Sequence, residues 1–487
     1  MGTASAHLQL LAGSALKLLL LPAYHSTDFE VHRHWMALTS SLPLSHWYTD
    51  TTSEWTLDYP PFFAYFERCL ALLAPLFDAE MLTLSPTPYA SPPTVLYQRL
   101  TVIFADIALL VGASRLASGT SLRLTVLNAG LLLVDHVHFQ YNGLLVGLLL
   151  LVLAKLRRGE GGGEVCAAAI FASLLQLKHL FLFAAPLVFV QLLRHHVMRA
   201  PRPALALRRL AGLGAVVVGV FGASLAPFAA VGQLPQLARR LFPFGRGLMH
   251  AYWAANAYAL YATADKAMAA AGRATGAWSV AAGQAVGTAG LVLPDIRAPH
   301  CAFLVLLLQA PVLVGTWRRP RPEAIAPAAV YCGLAAFLCG YHVHEKAILP
   351  PLLVLSAISP PADPTARGVH ARLLLLLSTA GHYALLPLLH QPAEYTLSRA
   401  LLLAYFAAAW AALTPPSLRW HDRLYLAGFV PLELFVSFVH PLLLSPRLPF
   451  LPLLATSLYC SLGVHMSMLL AYRLWAHSSN SANRQED

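Results

Sequence analysis

Charge is what this chain has least of. Of its 487 residues only 11% are Asp, Glu, Lys or Arg, while 57% are hydrophobic; soluble domains carry about 25% charged residues. That deficit excludes a water-soluble enzyme and points to a chain dissolved largely in lipid. Acidic residues are scarcer than basic ones, 22 against 33. The basic residues are nowhere clustered on a soluble face, which excludes a nucleic-acid partner. Cysteine is also rare. The six (Cys69, Cys166, Cys301, Cys332, Cys339 and Cys460) lie mainly in or beside apolar runs without C-x-x-C spacing, and read as small core residues rather than a disulfide or metal framework. No N-x-S/T sequon occurs, which neither supports nor excludes a secretory-pathway membrane. An inverted internal repeat is lacking too, which counts against a transporter.

Apolar length is what the chain does have. About fourteen runs between residues 6 and 472 are candidate spans, several of them shorter than the roughly 20 residues that cross a hydrocarbon core. The expectation is an all-α, polytopic transmembrane protein forming one integral-membrane domain over 1–487. Its first run, 6–24, lacks a basic start and a small-x-small cleavage site, and reads as an anchor rather than a signal peptide. With the N-terminus in the cytosol, alternation through fourteen spans places 19 of the 33 Lys and Arg in cytosolic loops, as the positive-inside rule requires. The polar clusters then collect on the opposite, luminal side.

The densest cluster is an insert at 25–95, which holds Ser26-Thr27-Asp28-Phe29-Glu30-Val31-His32-Arg33-His34-Trp35 and Leu57-Asp58-Tyr59-Pro60-Pro61. Asp28 opens a helical pattern with Val31, Trp35 and Leu38 on one face, suited to a helix along the interface. Ser26, Thr27 or Asp28 can serve as its N-cap, and Glu30 and Arg33 can pair at i, i+3. The same Asp28 can instead act as a general base, and Asp28-x-Glu30 gives a weak hint of a divalent cation. Two prolines keep Tyr59 extended; Asp58 beside it is either a turn residue or a second carboxylate orienting substrate.

Two further clusters follow. Asp135-His136-Val137-His138-Phe139-Gln140-Tyr141-Asn142 lies where a run ends, with helix capping and substrate binding both open to it. A second luminal loop at 231–299 carries Leu241–Gly247, and a short connection carries His342-Val343-His344-Glu345-Lys346. The H-x-H pairs have no third ligand at zinc spacing. Arg246, His344, Lys346 and Lys178 are cations on an apolar side; singly they snorkel, and together they suit a phosphate. Asp106 and Glu433 fall inside runs, where a carboxylate must be paired or face a cavity.

These blocks, with Tyr24–Trp35, Ser53–Ala64, Asp135–Gly143, Leu241–Gly247 and Val343–Leu349 in order over about 15–475, closely resemble the dolichyl-phosphate-glucose-dependent α-1,3-glucosyltransferases of N-glycan precursor assembly. The resemblance implies a multispanning GT-C fold in the endoplasmic reticulum membrane, with a luminal active site in the 25–95 insert. It implies dolichyl phosphate glucose as donor and a lipid-linked oligosaccharide as acceptor, with no cofactor and no metal. The Ser-Thr-Asp-Phe-Glu-Val-His start looks like the member adding the second glucose, to Glc1Man9GlcNAc2-diphosphodolichol; addition of the first glucose to Man9GlcNAc2 is the alternative. The aspartate opening the Asp-Phe-Glu helix, Asp28, is the implied catalytic base. Arg246, His344 and Lys346 are then expected near the phosphate. Arg33, Asp58, His138, Gln140, Asn142 and Glu345 complete the expected substrate contacts.

Overall fold

The computed structural model describes residues 13–158, 162–250, 253–280, 290–389, 391–413 and 418–480. Residues 6–12 of the first run, Tyr252 and part of the second loop (281–289) lie outside these. The described residues are helical throughout, with one isolated parallel bridge, Met249 to Val343, and no strand. Eight helical runs are long and apolar enough to cross a bilayer: Pro92–Ser114, His179–Val197, Pro203–Ala230, Ala298–Arg318, Pro322–Cys339, Pro364–Leu388, Trp420–Leu443 and Leu451–Ser479. Other expected runs form shorter helices, such as Gly163–Leu177.

The chain divides into two compact units, Met1–Pro243 with Thr316–Ile325 and Phe244–Gly315 with Ala326–Asp487. The first contains the 25–95 insert. Helix α1 (Thr27–Ser41) begins at Ser26, whose side chain accepts from the Asp28 amide; a serine is favoured there because it satisfies an amide that has no partner inside the helix. At the other end the Arg68 guanidinium donates to the carbonyls of Thr39 and Ser40 at 2.6 Å each. Arg68 comes from α2 (Pro61–Ala71), where Pro61 sits in the first turn, the one place a helix tolerates a missing amide. Aromatic side chains weld the two: Tyr59 packs on Trp35 and Phe63 with centroids 4.9 and 4.8 Å apart.

Helices α3 (Pro92–Ala105) and α4 (Ile107–Ser114) meet at Asp106. This carboxylate accepts from Lys17 Nζ at 2.5 Å and lies 2.7 Å from His136 Nε2. Pairing removes the penalty of a lone charge in hydrocarbon. Glu433 in the second unit is satisfied likewise, accepting from Tyr383, Tyr395, Ser437 and Arg399.

Helix α5 (Asn142–Arg158) presents Gly143 and Gly147, four residues apart, to Asp106 and α4, and a Cβ on Gly143 would run into the Asp106 carboxylate. A Cβ on Gly147 would sit 2.3 Å from the Ala108 carbonyl carbon. Small residues at this spacing let two helix backbones touch where water supplies no driving force. Helix α6 (Gly163–Leu177) packs on the far flank of α5, and Lys178 ends it in extended conformation. The long Pro203–Ala230 helix, by contrast, buries only Leu213, Ser224 and Phe228, and turns an apolar surface outward.

Gly147→Ala is therefore expected to lower stability in detergent by about 1–3 kcal/mol through overpacking. Gly214→Ala, in a helix with nothing within 4 Å of the new Cβ, should be neutral or gain up to about 1 kcal/mol. Thermal unfolding of both variants checks this, and equal melting temperatures for Gly147→Ala and the parent would mean that the backbones do not touch there.

Candidate active site

Asp28 is the second residue of α1, so its carboxylate stands over the first turn, where free amides and the helix dipole favour a negative charge. It is one-fifth exposed, more than any other acid or imidazole it touches. Two side chains from one short segment meet it: Gln140 Nε2 donates to Oδ2 at 2.6 Å, and His138 Nε2 lies 3.2 Å from the same oxygen. Residues two apart reach one atom because the backbone between them is unusual. Leu132–Phe139 forms a π-helical stretch, a distortion common at functional sites. It ends at Phe139 with φ +90°, a region costly for a bulky side chain, and Gln140 then runs extended.

That strain is held by hydrogen bonds on both flanks. Upstream, the Ser26 amide and hydroxyl both donate to the His138 carbonyl, joining the cap of α1 to the same segment. The buried Arg99 guanidinium donates to the carbonyls of Ala23, Tyr24, His136 and Val137. Downstream, buried Asp135 accepts from Asn142 Nδ2 and the Gly143 amide, each at 2.7 Å, and so caps α5.

Tyr59 and Lys178 complete the cluster. Lys178 Nζ donates to Gln140 Oε1 at 3.3 Å and lies 4.8 Å from the Tyr59 ring centroid. The Tyr59 hydroxyl is held well above its ordinary pKa by burial and then by the carboxylates of Asp58 and Asp28, so it stays protonated. Asp58 thus belongs to the electrostatic surroundings of this cluster and is half-buried.

Two residues expected at the substrate are engaged by partners within the protein. Arg33 is fully buried; its guanidinium pairs with both Glu30 oxygens and donates to the carbonyls of Met81 and Thr83. It anchors α1 to the end of the insert. Glu30, engaged by Arg33 and by the Tyr89 amide, is equally unsuited to share a cation with Asp28. Asn142 is buried, with its Nδ2 donating to Asp135. The alternative readings as an ion pair and a helix cap describe these residues.

The second unit holds a separate cluster. The Met249–Val343 bridge and a 3.0 Å bond from the His342 amide to the Leu248 carbonyl align two segments. His250 then stacks on His344, centroids 3.7 Å apart, with its Nδ1 3.3 Å from Glu345 Oε2. Burial, and after it the neighbouring His250, lowers the His344 pKa to about 3. His344 is accordingly a neutral imidazole at pH 7, which corrects its expected role as a cation. Burial opposes ionisation of Glu345, yet the His250 hydrogen bond and nearby positive charge bring it down to about 2. Lys346 is half-buried beside Glu345, and Arg246 is exposed.

His250, His344 and Glu345 are the one trio among the described residues whose ligand atoms lie within 4.8 Å of one another. Two imidazoles on one tetrahedral zinc would have centroids about 5 Å apart, given Zn–N bonds near 2.0–2.1 Å. The stacked rings are closer than that, and Glu345 already accepts from His250.

Sequence reasoning missed His250, Arg99 and Tyr59 as parts of these clusters, and grouped Lys178 with Arg246, His344 and Lys346 as cations suited to a phosphate rather than with Asp28 and Gln140. His250 lies more than ninety residues before its partners with no spacing to mark it. For Lys178, a positive charge one residue beyond an apolar run was the available signal.

The comparisons with known proteins follow this geometry. A model described as the ALG6, ALG8 glycosyltransferase family matches residues 13–471. The chain is 39% identical to an Arabidopsis thaliana protein named dolichyl pyrophosphate Glc1Man9GlcNAc2 alpha-1,3-glucosyltransferase, over 94% of this chain and 96% of that one. It is 41% identical to the Mus musculus protein of that name, over 92% and 91%. To a Drosophila melanogaster protein named as a probable one it is 42% identical, over 95% and 93%. With its aspartate-headed helix and its match over nearly the full length, the chain belongs to the ALG6, ALG8 glycosyltransferase family.

Proposed function

We propose that this protein transfers glucose from dolichyl phosphate glucose to Glc1Man9GlcNAc2-diphosphodolichol, forming an α-1,3 linkage, on the luminal side of the endoplasmic reticulum membrane. The observation that carries the mechanism is the carboxylate of Asp28, exposed at a helix start while Gln140 and His138 hold one of its oxygens. The names of the full-length relatives support the acceptor and linkage. The excess of Lys and Arg in alternate loops supports the orientation.

The chemistry is one in-line displacement. Asp28 takes the proton of the acceptor hydroxyl as that oxygen bonds to C1 of glucose. The C1–O bond to phosphate breaks with its electron pair staying on the phosphate, which leaves as dolichyl phosphate. Attack opposite the leaving group turns a β-linked donor into an α-linked product. The phosphate is a stable anion and needs no acid, so the proton to be moved is the acceptor's, and a positioned base supplies about 10²–10⁴-fold there. Asp58, His138 and Gln140 orient the base and the sugars. In the second unit Arg246, His344, Glu345 and Lys346 offer a mixture of cations and hydrogen-bonding groups suited to the anionic and hydroxyl groups of lipid-linked substrates.

Purified protein given dolichyl phosphate glucose should glucosylate Glc1Man9GlcNAc2-diphosphodolichol and leave Man9GlcNAc2-diphosphodolichol untouched; the reverse selectivity would assign the first glucose instead. Asp28→Asn should lower kcat by about 10²-fold or more while donor binding persists, and an unchanged rate would remove Asp28 from the mechanism. Transfer is expected to survive EDTA. Loss of activity restored by zinc would instead make the His250, His344 and Glu345 trio a metal site.

A further inference from the structure

We propose that Lys178 is the cation that meets the departing phosphate of the donor, an assignment that rests on the reading above and makes Lys178 a catalytic residue. The argument begins from distance. Lys178 Nζ donates to Gln140 Oε1 at 3.3 Å, and Nε2 of the same amide donates to Asp28 Oδ2 at 2.6 Å. With the amide's own width of about 2.2 Å, Nζ lies no farther than about 8 Å from Asp28 Oδ2, and so within about 10 Å of Oδ1, the oxygen left to take the proton. In the displacement, the base and the attacking oxygen are about 2.7 Å apart. Two partial bonds of about 2 Å each then lead through C1 to the leaving oxygen. Allowing for the bend at the attacking oxygen, the leaving oxygen stands about 6 Å from the base. One further hydrogen bond reaches a lysine where Lys178 is.

Its setting fits that duty. Lys178 terminates α6 in extended conformation, so its side chain is carried by a fixed backbone rather than by a mobile loop. The Tyr59 face at 4.8 Å and the Gln140 carbonyl hold the ammonium beside the base. Tyr59 itself stays protonated and adds no negative charge. The Gln140 amide ties the two functional groups together: its carbonyl end faces the cation and its amino end faces the carboxylate, so base and cation are set by one planar spacer. A preorganised cation at developing negative charge is among the largest single contributions to catalysis.

The test separates contact with phosphate from mere support of Gln140. The donor is a phosphodiester with one negative charge, whereas the product dolichyl phosphate is a monoester carrying about 1.5–2 at pH 7. A residue that meets the leaving phosphate binds product more tightly than donor. In the full-length protein, Lys178→Met should lower kcat about 10²–10³-fold. It should also raise the inhibition constant of dolichyl phosphate about tenfold or more, with the donor KM changing less than about threefold. Lys178→Arg should restore most of both. A fall in kcat with unchanged inhibition by dolichyl phosphate would overturn the proposal and leave Lys178 as a positioning residue for Gln140 and Asp28; so would an unchanged kcat. If Lys178→Met does not fold, Lys178→Gln carries the same comparison. Failure of the parent enzyme to use dolichyl phosphate glucose would sink the donor assignment, an outcome distinct from either of these.

Discussion

The joint between residues 23–28 and 136–140 is the constraint on which the site depends. Arg99 reaches from α3 to four carbonyls, two on each strand of chain, and Ser26 adds two bonds to the His138 carbonyl. Ala23 and Tyr24 lie in irregular backbone, and His136, Val137 and His138 close the π-helical stretch, so their carbonyls need partners from outside. A buried guanidinium with several donors satisfies four of them at once and fixes their spacing. The positive φ of Phe139 persists because of this over-determination. Without the joint, Asp28 would stand alone on α1, and His138 and Gln140 would lie on an ordinary helical turn pointing along different directions.

Such a joint is possible only inside a scaffold that has solved its own charge problem. Lys17, Asp106 and His136 form a closed set in the first unit, and Arg399 with Glu433 and Arg372 with Asp422 do so in the second. Asp106, Glu433 and Asp422 each have a cationic partner within their own unit. Transporters place intramembrane charges along a path for cargo. Here the paired charges lock helices to one another, while Asp28 stands partly exposed at a helix end. That distribution is what a fixed catalytic surface beside a bilayer requires.

Local features were legible in the sequence, and long-range ones were not. The start of α1 could be read because a serine two residues before an aspartate is a cap by its own chemistry, and the Glu30–Arg33 pair follows from helical spacing alone. What spacing could not show is that the Arg33 guanidinium also serves carbonyls of Met81 and Thr83, which removes it from any substrate. Asn142 and Asp135 likewise carried two readings, and only the 2.7 Å bond between them decides for the helix cap. Phe139 gave no warning of its backbone angle, since bulky aromatics avoid that region. His250 meets His344 through an isolated bridge between distant segments, a pairing with no periodic signature. The GT-C expectation was legible for another reason: it came from long ordered motifs, not from physics alone.

The chemical economy of the site follows from the leaving group. A glycosidase must protonate an alkoxide as it departs and therefore needs an acid and a base of well-separated pKa. A glucosyl phosphate leaves as an anion already stabilised by resonance. One carboxylate suffices, provided it is ionised and aimed. Donors from Gln140 and His138 and the start of α1 surround the carboxylate. Its aim is set by fixing one of its two oxygens, since a carboxylate gripped at Oδ2 cannot rotate freely. The Tyr59 hydroxyl, kept protonated by burial beside Asp58 and Asp28, is thereby excluded as a rival base at neutral pH. In the proposed mechanism Asp28 is the group placed to take the acceptor's proton, with Gln140 and His138 holding it in position.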